Sequence, residues 1–188
     1  MPTTAAGLRA ELFATGDTTP APTKAALIVA LAATGAAVGV FVSERGDARI
    51  DSSFAAPVLW LLSSLFLVRV VGQLVVLVRN PSWLPPMEQW NLTPYRLLLP
   101  VQLAILGVMA WIDVSFSRRD GVPATPSPTF GEAVAAFSYA YAASMAARYA
   151  VRMARRPGER WFGGTIPITF HFVLAGYVYV FGSFHASY

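Results

Sequence analysis

The chain of 188 residues contains no cysteine, which excludes a disulfide framework, a thiol nucleophile, an iron–sulfur cluster and a thiolate zinc site. It has two histidines, and charged residues make up only 13% of it, against about a quarter in a soluble domain. Hydrophobic residues make up 55%, and the mean hydropathy is +0.52. These values exclude a water-soluble globule and a disordered chain. A net charge of +4 and a pI near 9.8 do not indicate a nucleic-acid partner, because the basic residues lie between apolar runs, where membrane topology puts them. Gly-x-Ser-x-Gly, His-Glu-x-x-His and phosphate-loop motifs are missing. The chain is therefore expected not to be an enzyme.

What is present is a series of apolar runs at 25–42, 54–78, 95–116, 132–154 and 165–184, each close to the roughly 20 residues that a helix needs to cross a bilayer. The expected fold class is an all-α integral membrane protein with five transmembrane helices. Residues 1–24 read as a mobile or interfacial leader and 25–188 as the bundle. Segment 80–94, with four prolines, Trp83 and Trp90, suits an irregular stretch in the interface. Residues 121–128, rich in Pro, Thr and Ser, predict a stiff extended linker.

Lys and Arg near the span ends set the orientation. Eight (Arg9, Lys24, Arg79, Arg96, Arg152, Arg155, Arg156, Arg160) fall on one side and four (Arg45, Arg49, Arg118, Arg119) on the other. This places the N-terminus in the cytoplasm and the C-terminus outside, in a membrane expected to be a bacterial inner or plasma membrane.

Small residues recur at Gly35 and Gly39 in the first span, and at Ala136, Ala140, Ala143, Ala147 and Ala150 in the fourth. Such spacing lets helix backbones approach closely in lipid, and packing within the bundle is the expectation.

Intramembrane charge is more informative, because an ionised side chain in hydrocarbon normally faces protein or water. Counted from the inner span ends, Arg69 lies roughly 14 Å deep, and Gln102, Arg148 and His171 about 9–10 Å. One layer is therefore expected to collect Arg69, Gln73, Gln102, Arg148 and His171. It holds two permanent cations and no carboxylate, since Asp113 lies near the outer end of its span. A ligand, a lipid phosphate or a partner chain then supplies the anion, unless Arg148 snorkels to the inner surface.

His171 and His185 are 14 residues apart, about 40° around one helix and roughly 21 Å along it. Ala175, Val178 and Gly182 lie between them. This spacing, and nothing else in the chain, resembles that of cytochrome-b-type helices, which implies haem b. A chlorophyll-type pigment needs only one axial ligand. The candidate cofactor-binding residues are therefore His171, His185, Arg69 and Arg148, with Gln102 as the hydrogen-bond partner of His171 if no cofactor is bound.

The favoured expectation is a non-catalytic accessory or assembly subunit of a larger energy-transducing membrane complex, respiratory or photosynthetic. Its partners are the lipid bilayer, bound lipid and other membrane subunits. The alternatives are a haem- or pigment-binding anchor in electron transport and a small transporter. The last is disfavoured by the lack of internal repeats.

The orientation has a direct test in a cysteine-free chain. A single cysteine placed at Glu159 is expected to react with an impermeant thiol reagent only after the cells are opened. Reaction in intact cells would reverse the topology.

Overall fold

A computed structural model of the protein describes residues 20–45, 49–79, 81–85, 95–155 and 166–188. Five long helices follow one another: α1 (Ala21–Arg45), α2 (Ser52–Arg79), α3 (Tyr95–Arg118), α4 (Pro128–Arg155) and α5 (Ile166–Ala186). A single 3-10 turn, Val122–Ala124, joins α3 to α4, and there is no strand among the described residues. The fold is all-α, with the expected five helices.

Four of them (α1, α2, α3 and α5) are long and apolar enough to cross a bilayer. α4 has the length, 28 residues, but Glu132, Ser138, Ser144, Arg148 and Arg152 dilute its alanines. The first four expected spans lie inside the observed helices, and the fifth, 165–184, begins one residue before α5, outside the described residues. α1 begins at Ala21 and so takes in the last residues assigned to the leader. α4 begins at Pro128, where a missing N–H costs nothing, and the Gly131 amide donates to the Ser127 carbonyl at 2.8 Å. Residues 1–19, 86–94 and 156–165 lie outside the described residues, and with them most of the leader, Trp90 and much of the inner basic loop.

The loops that join α1 to α2 and α3 to α4 are tied by local chemistry. Asp51 precedes α2 and accepts from the Ser53 amide (3.3 Å) and hydroxyl (2.5 Å), as an N-cap residue does. The Ser53 bonds hold its carboxyl below the ordinary value of 3.8. This cap is therefore complete at neutral pH and is lost only as pH falls through that lowered value.

The 121–128 segment is not the extended linker expected. Arg119 (φ 59°) and Gly121 (φ 82°) adopt left-handed backbone, and the Asp120 amide donates back to Ser115 at 3.1 Å. Two positive-φ residues reverse the chain, and Pro123, with its fixed φ, is buried in the 3-10 turn that follows.

α5 is the central helix. In its most apolar stretch 61% of the residues are buried, against 28% in α1 and in α3. It packs on α4, α2 and α1, while α3 packs on α2. Leu59, Leu62, Val173 and Val180 form the dry centre. At the outer end, the rings of Phe116 and Phe184 meet with centroids 4.6 Å apart.

α4 and α5 cross at two glycines. A Cβ on Gly182 would stand 2.7 Å from the Ala135 nitrogen, and one on Gly131 would stand 2.7 Å from the Gly182 carbonyl oxygen. Real Cβ atoms do not approach so closely, so neither position accepts a side chain. The small residues singled out from sequence behave differently. Gly35 and Gly39 have no atom within 4 Å of an added Cβ, and Ala136, Ala140, Ala143, Ala147 and Ala150 are all exposed. At 100° per residue this alanine stripe lies opposite Ser138, Tyr141 and Met145, the side that α5 covers. Packing within the bundle is therefore corrected to an outward face.

Gly182→Leu is expected to lower stability by about 1–3 kcal/mol or more by overpacking. Gly35→Ala should stay within about 0.5 kcal/mol of the parent. Thermal melting in detergent measures both, and a parent-like melt for Gly182→Leu would refute the close crossing.

Candidate functional site

Four of the five residues assigned to the inner layer line one cavity of about 300 Å³: Arg69 from α2, Gln102 from α3, Arg148 from α4 and His171 from α5. Alternating helix directions put the end of α2, the start of α3, the end of α4 and the start of α5 on one side. Equal residue counts from those ends therefore give equal depth. Gln73, the fifth, is buried at 1% exposure but does not line the cavity.

Each wall residue is held differently. The Arg69 guanidinium lies over the rings of Phe66 and Phe170, 5.8 Å from each centroid, within the range of cation–π attraction. Arg148 is exposed at the rim, so it both lines the cavity and reaches outward. Gln102 is 3% exposed, and its amide oxygen has no hydrogen-bond partner among the described residues. His171 does not bond to Gln102 as expected: its Nδ1 pairs with the Tyr141 hydroxyl. Tyr141 lies on the α4 face turned to α5, and its longer side chain reaches the imidazole directly.

His185 is placed elsewhere. It is 2% exposed, and the rings of Phe116, Phe130, Phe181 and Phe184 surround it at centroid distances of 4.7–6.5 Å. The backbone of Pro123 and Thr125 lies beside the imidazole without closing a hydrogen bond of good geometry. Gly182, between the two histidines, is covered by Val134 and Ala135 of α4. The two histidines thus sit in unlike surroundings, one on a cavity wall and one in a packed aromatic cluster.

Asp113, set aside at the sequence level, forms a second polar centre. It is fully buried. Tyr177 of α5 donates to its Oδ1 at 3.0 Å and lies 3.2 Å from the Met109 carbonyl oxygen, with Ser63 of α2 beside the pair. A carboxylate inside an apolar run signals that some donor must meet it. Spacing within one helix cannot name a donor on another.

These features define a class: a helical bundle compatible with a multi-pass membrane protein, with two polar centres inside it. No family model matches the chain, no curated protein matches its sequence and no solved structure matches its fold.

Tyr177→Phe strips Asp113 of its donor and is expected to cost about 1–3 kcal/mol. Asp113→Asn keeps an acceptor for Tyr177 and should melt close to the parent. A Tyr177→Phe protein as stable as the parent would show that the bond contributes nothing.

Proposed function

We propose that the protein is a non-catalytic accessory subunit of a larger membrane complex, and that α4 is the helix a partner chain covers. The observation that carries this reading is the outward alanine stripe of α4, exposed from Ala136 to Ala150. A small-residue face is the surface on which transmembrane helices approach one another most closely. α4 is also the helix least suited to lipid, since it falls outside the four apolar spans and packs chiefly on α5. A neighbouring chain removes Ser144 and the alanine backbone from lipid at little steric cost.

A second reading keeps one supporting observation. His171 shares its cavity with Arg69 and Arg148, the groups that would meet the acidic substituents of a haem- or chlorophyll-type pigment. The absorption spectrum of the purified protein separates the two, and a spectrum without Soret or Qy bands is expected.

Leucines at Ala140 and Ala147 are expected to leave the melting temperature of the isolated chain unchanged. They should also reduce the stoichiometric neighbours that co-purify with it in mild detergent by about tenfold, as a loss of about 1.4 kcal/mol of association energy does. A parent chain that runs alone, or a variant with undiminished partner yield, would count against the proposal.

A further inference from the structure

We propose that the cavity between α3 and α4 binds the phosphate-bearing headgroup of an acidic phospholipid. This goes beyond the subunit reading and does not depend on it.

Charge comes first. Arg69 and Arg148 approach the same 300 Å³ space from two different helices, and none of the described residues lining it is Asp or Glu. Two guanidiniums converging in a low-dielectric layer repel each other, and an anion between them turns that repulsion into two attractions. The phosphodiester fits this geometry, because guanidinium forks bind phosphate oxygens with strong charge-assisted hydrogen bonds.

Gln102 provides an independent observation. Its amide is buried, at 3% exposure, and its oxygen has no partner among the described residues, although buried polar groups are ordinarily satisfied. The unpartnered atom is an acceptor, so it takes a donor of the headgroup, such as a glycerol hydroxyl beside the phosphate. Arg69 is already oriented by Phe66 and Phe170, so little side-chain freedom remains to be lost on binding.

The mouth identifies the carrier as a lipid. α3 packs on α2 and α4 on α5, and Val101 of α3 and Arg148 of α4, both exposed, line the cavity's edge. Val101 is an exposed apolar residue within a candidate span, so the edge it forms meets the acyl chains once the helix lies in a bilayer. Beyond the charged residues the wall is apolar, through Leu98, Ile105 and Leu174, a surface along which a lipid tail can lie. The cavity also sits in the half of the bundle that holds the inner span ends, within reach of a headgroup drawn a short way into the membrane.

Native mass spectrometry of the full chain tests this, with phosphatidylglycerol, phosphatidylcholine of the same acyl chains, and inorganic phosphate as probes. Phosphatidylglycerol is expected to be retained about tenfold more than phosphatidylcholine, which corresponds to about 1.4 kcal/mol. Arg148→Gln should abolish that preference. Arg148 lies at the exposed rim, so the variant leaves the core intact, which an unchanged melting temperature verifies. Arg118→Gln, at the opposite end of the bundle, should retain the preference. Equal retention of the two lipids by the parent, or an intact preference in Arg148→Gln, would overturn the site. Displacement of phosphatidylglycerol by equimolar inorganic phosphate would overturn the lipid assignment and leave a site for free phosphate. The isolated chain is measured without partners, so this outcome is separate from the fate of the subunit reading.

Discussion

The glycine crossing of α4 and α5 sets the register on which the rest of the site depends. Gly131 meets Gly182 with no room for a Cβ on either. From that point Tyr141 lies ten residues along α4 and His171 eleven residues back along α5. At about 1.5 Å per residue these displacements are roughly 15 and 16.5 Å, so antiparallel helices pinned at the glycines bring the hydroxyl to the imidazole. The same register carries Arg148 to the height of Gln102 and Arg69. Shifting the crossing by one residue on either helix would turn the tyrosine roughly 100° away from its partner.

The two formally charged side chains buried among the described residues, Arg69 and Asp113, stand at two levels of the bundle. At the outer level, Asp113 is enclosed and meets Tyr177. At the inner level, the cations line a cavity that has a mouth. Burial without partners is costly, and the two levels meet that cost in different ways. The outer centre is closed by a tyrosine donor, a carbonyl neighbour and dense aromatic packing around Phe116. Each centre keeps an acceptor without a partner among the described residues, Asp113 Oδ2 in one and the Gln102 oxygen in the other, but only the second adjoins a cavity of about 300 Å³ whose lining includes exposed residues. An enclosed centre stabilises the fold, whereas a cavity whose charged lining, among the described residues, is cationic can recognise something outside it.

Depth was legible in the sequence and azimuth was not. Counting residues from charged span ends brought Arg69, Gln102, Arg148 and His171 to one layer, because helical rise is fixed whatever a helix packs against. Which side of each helix faces inward depends on neighbours that periodicity in a uniformly apolar helix does not reveal. Gln73 was assigned to the layer and is buried away from the cavity. The alanine stripe was assigned to the interior and points outward. Depth alone points to Gln102 as the partner of His171, and Tyr141 takes that place because α4, not α3, lies directly against α5. Gly131 and Gly182 carry no signature beyond being glycine, so their close crossing shows only in the folded chain.

α4 links the two proposals by exposing different sides to different neighbours. Tyr141 and Ser138 face α5, Arg148 lies toward the cavity rim, and the alanines face away from both. At 100° per residue Arg148 stands roughly 100–120° from the centre of the alanine stripe. A helix covering that stripe would therefore run beside the cavity mouth without filling it. A lipid held by Arg69 and Arg148 would then be flanked by this protein on one side and by the partner on the other. In that position its acyl chains fill the space that a side chain as short as alanine leaves between two helices. α4 can thus be the least apolar helix of the bundle and still lie within the membrane, because the packing of α5, the headgroup and the partner would each satisfy one of its sides.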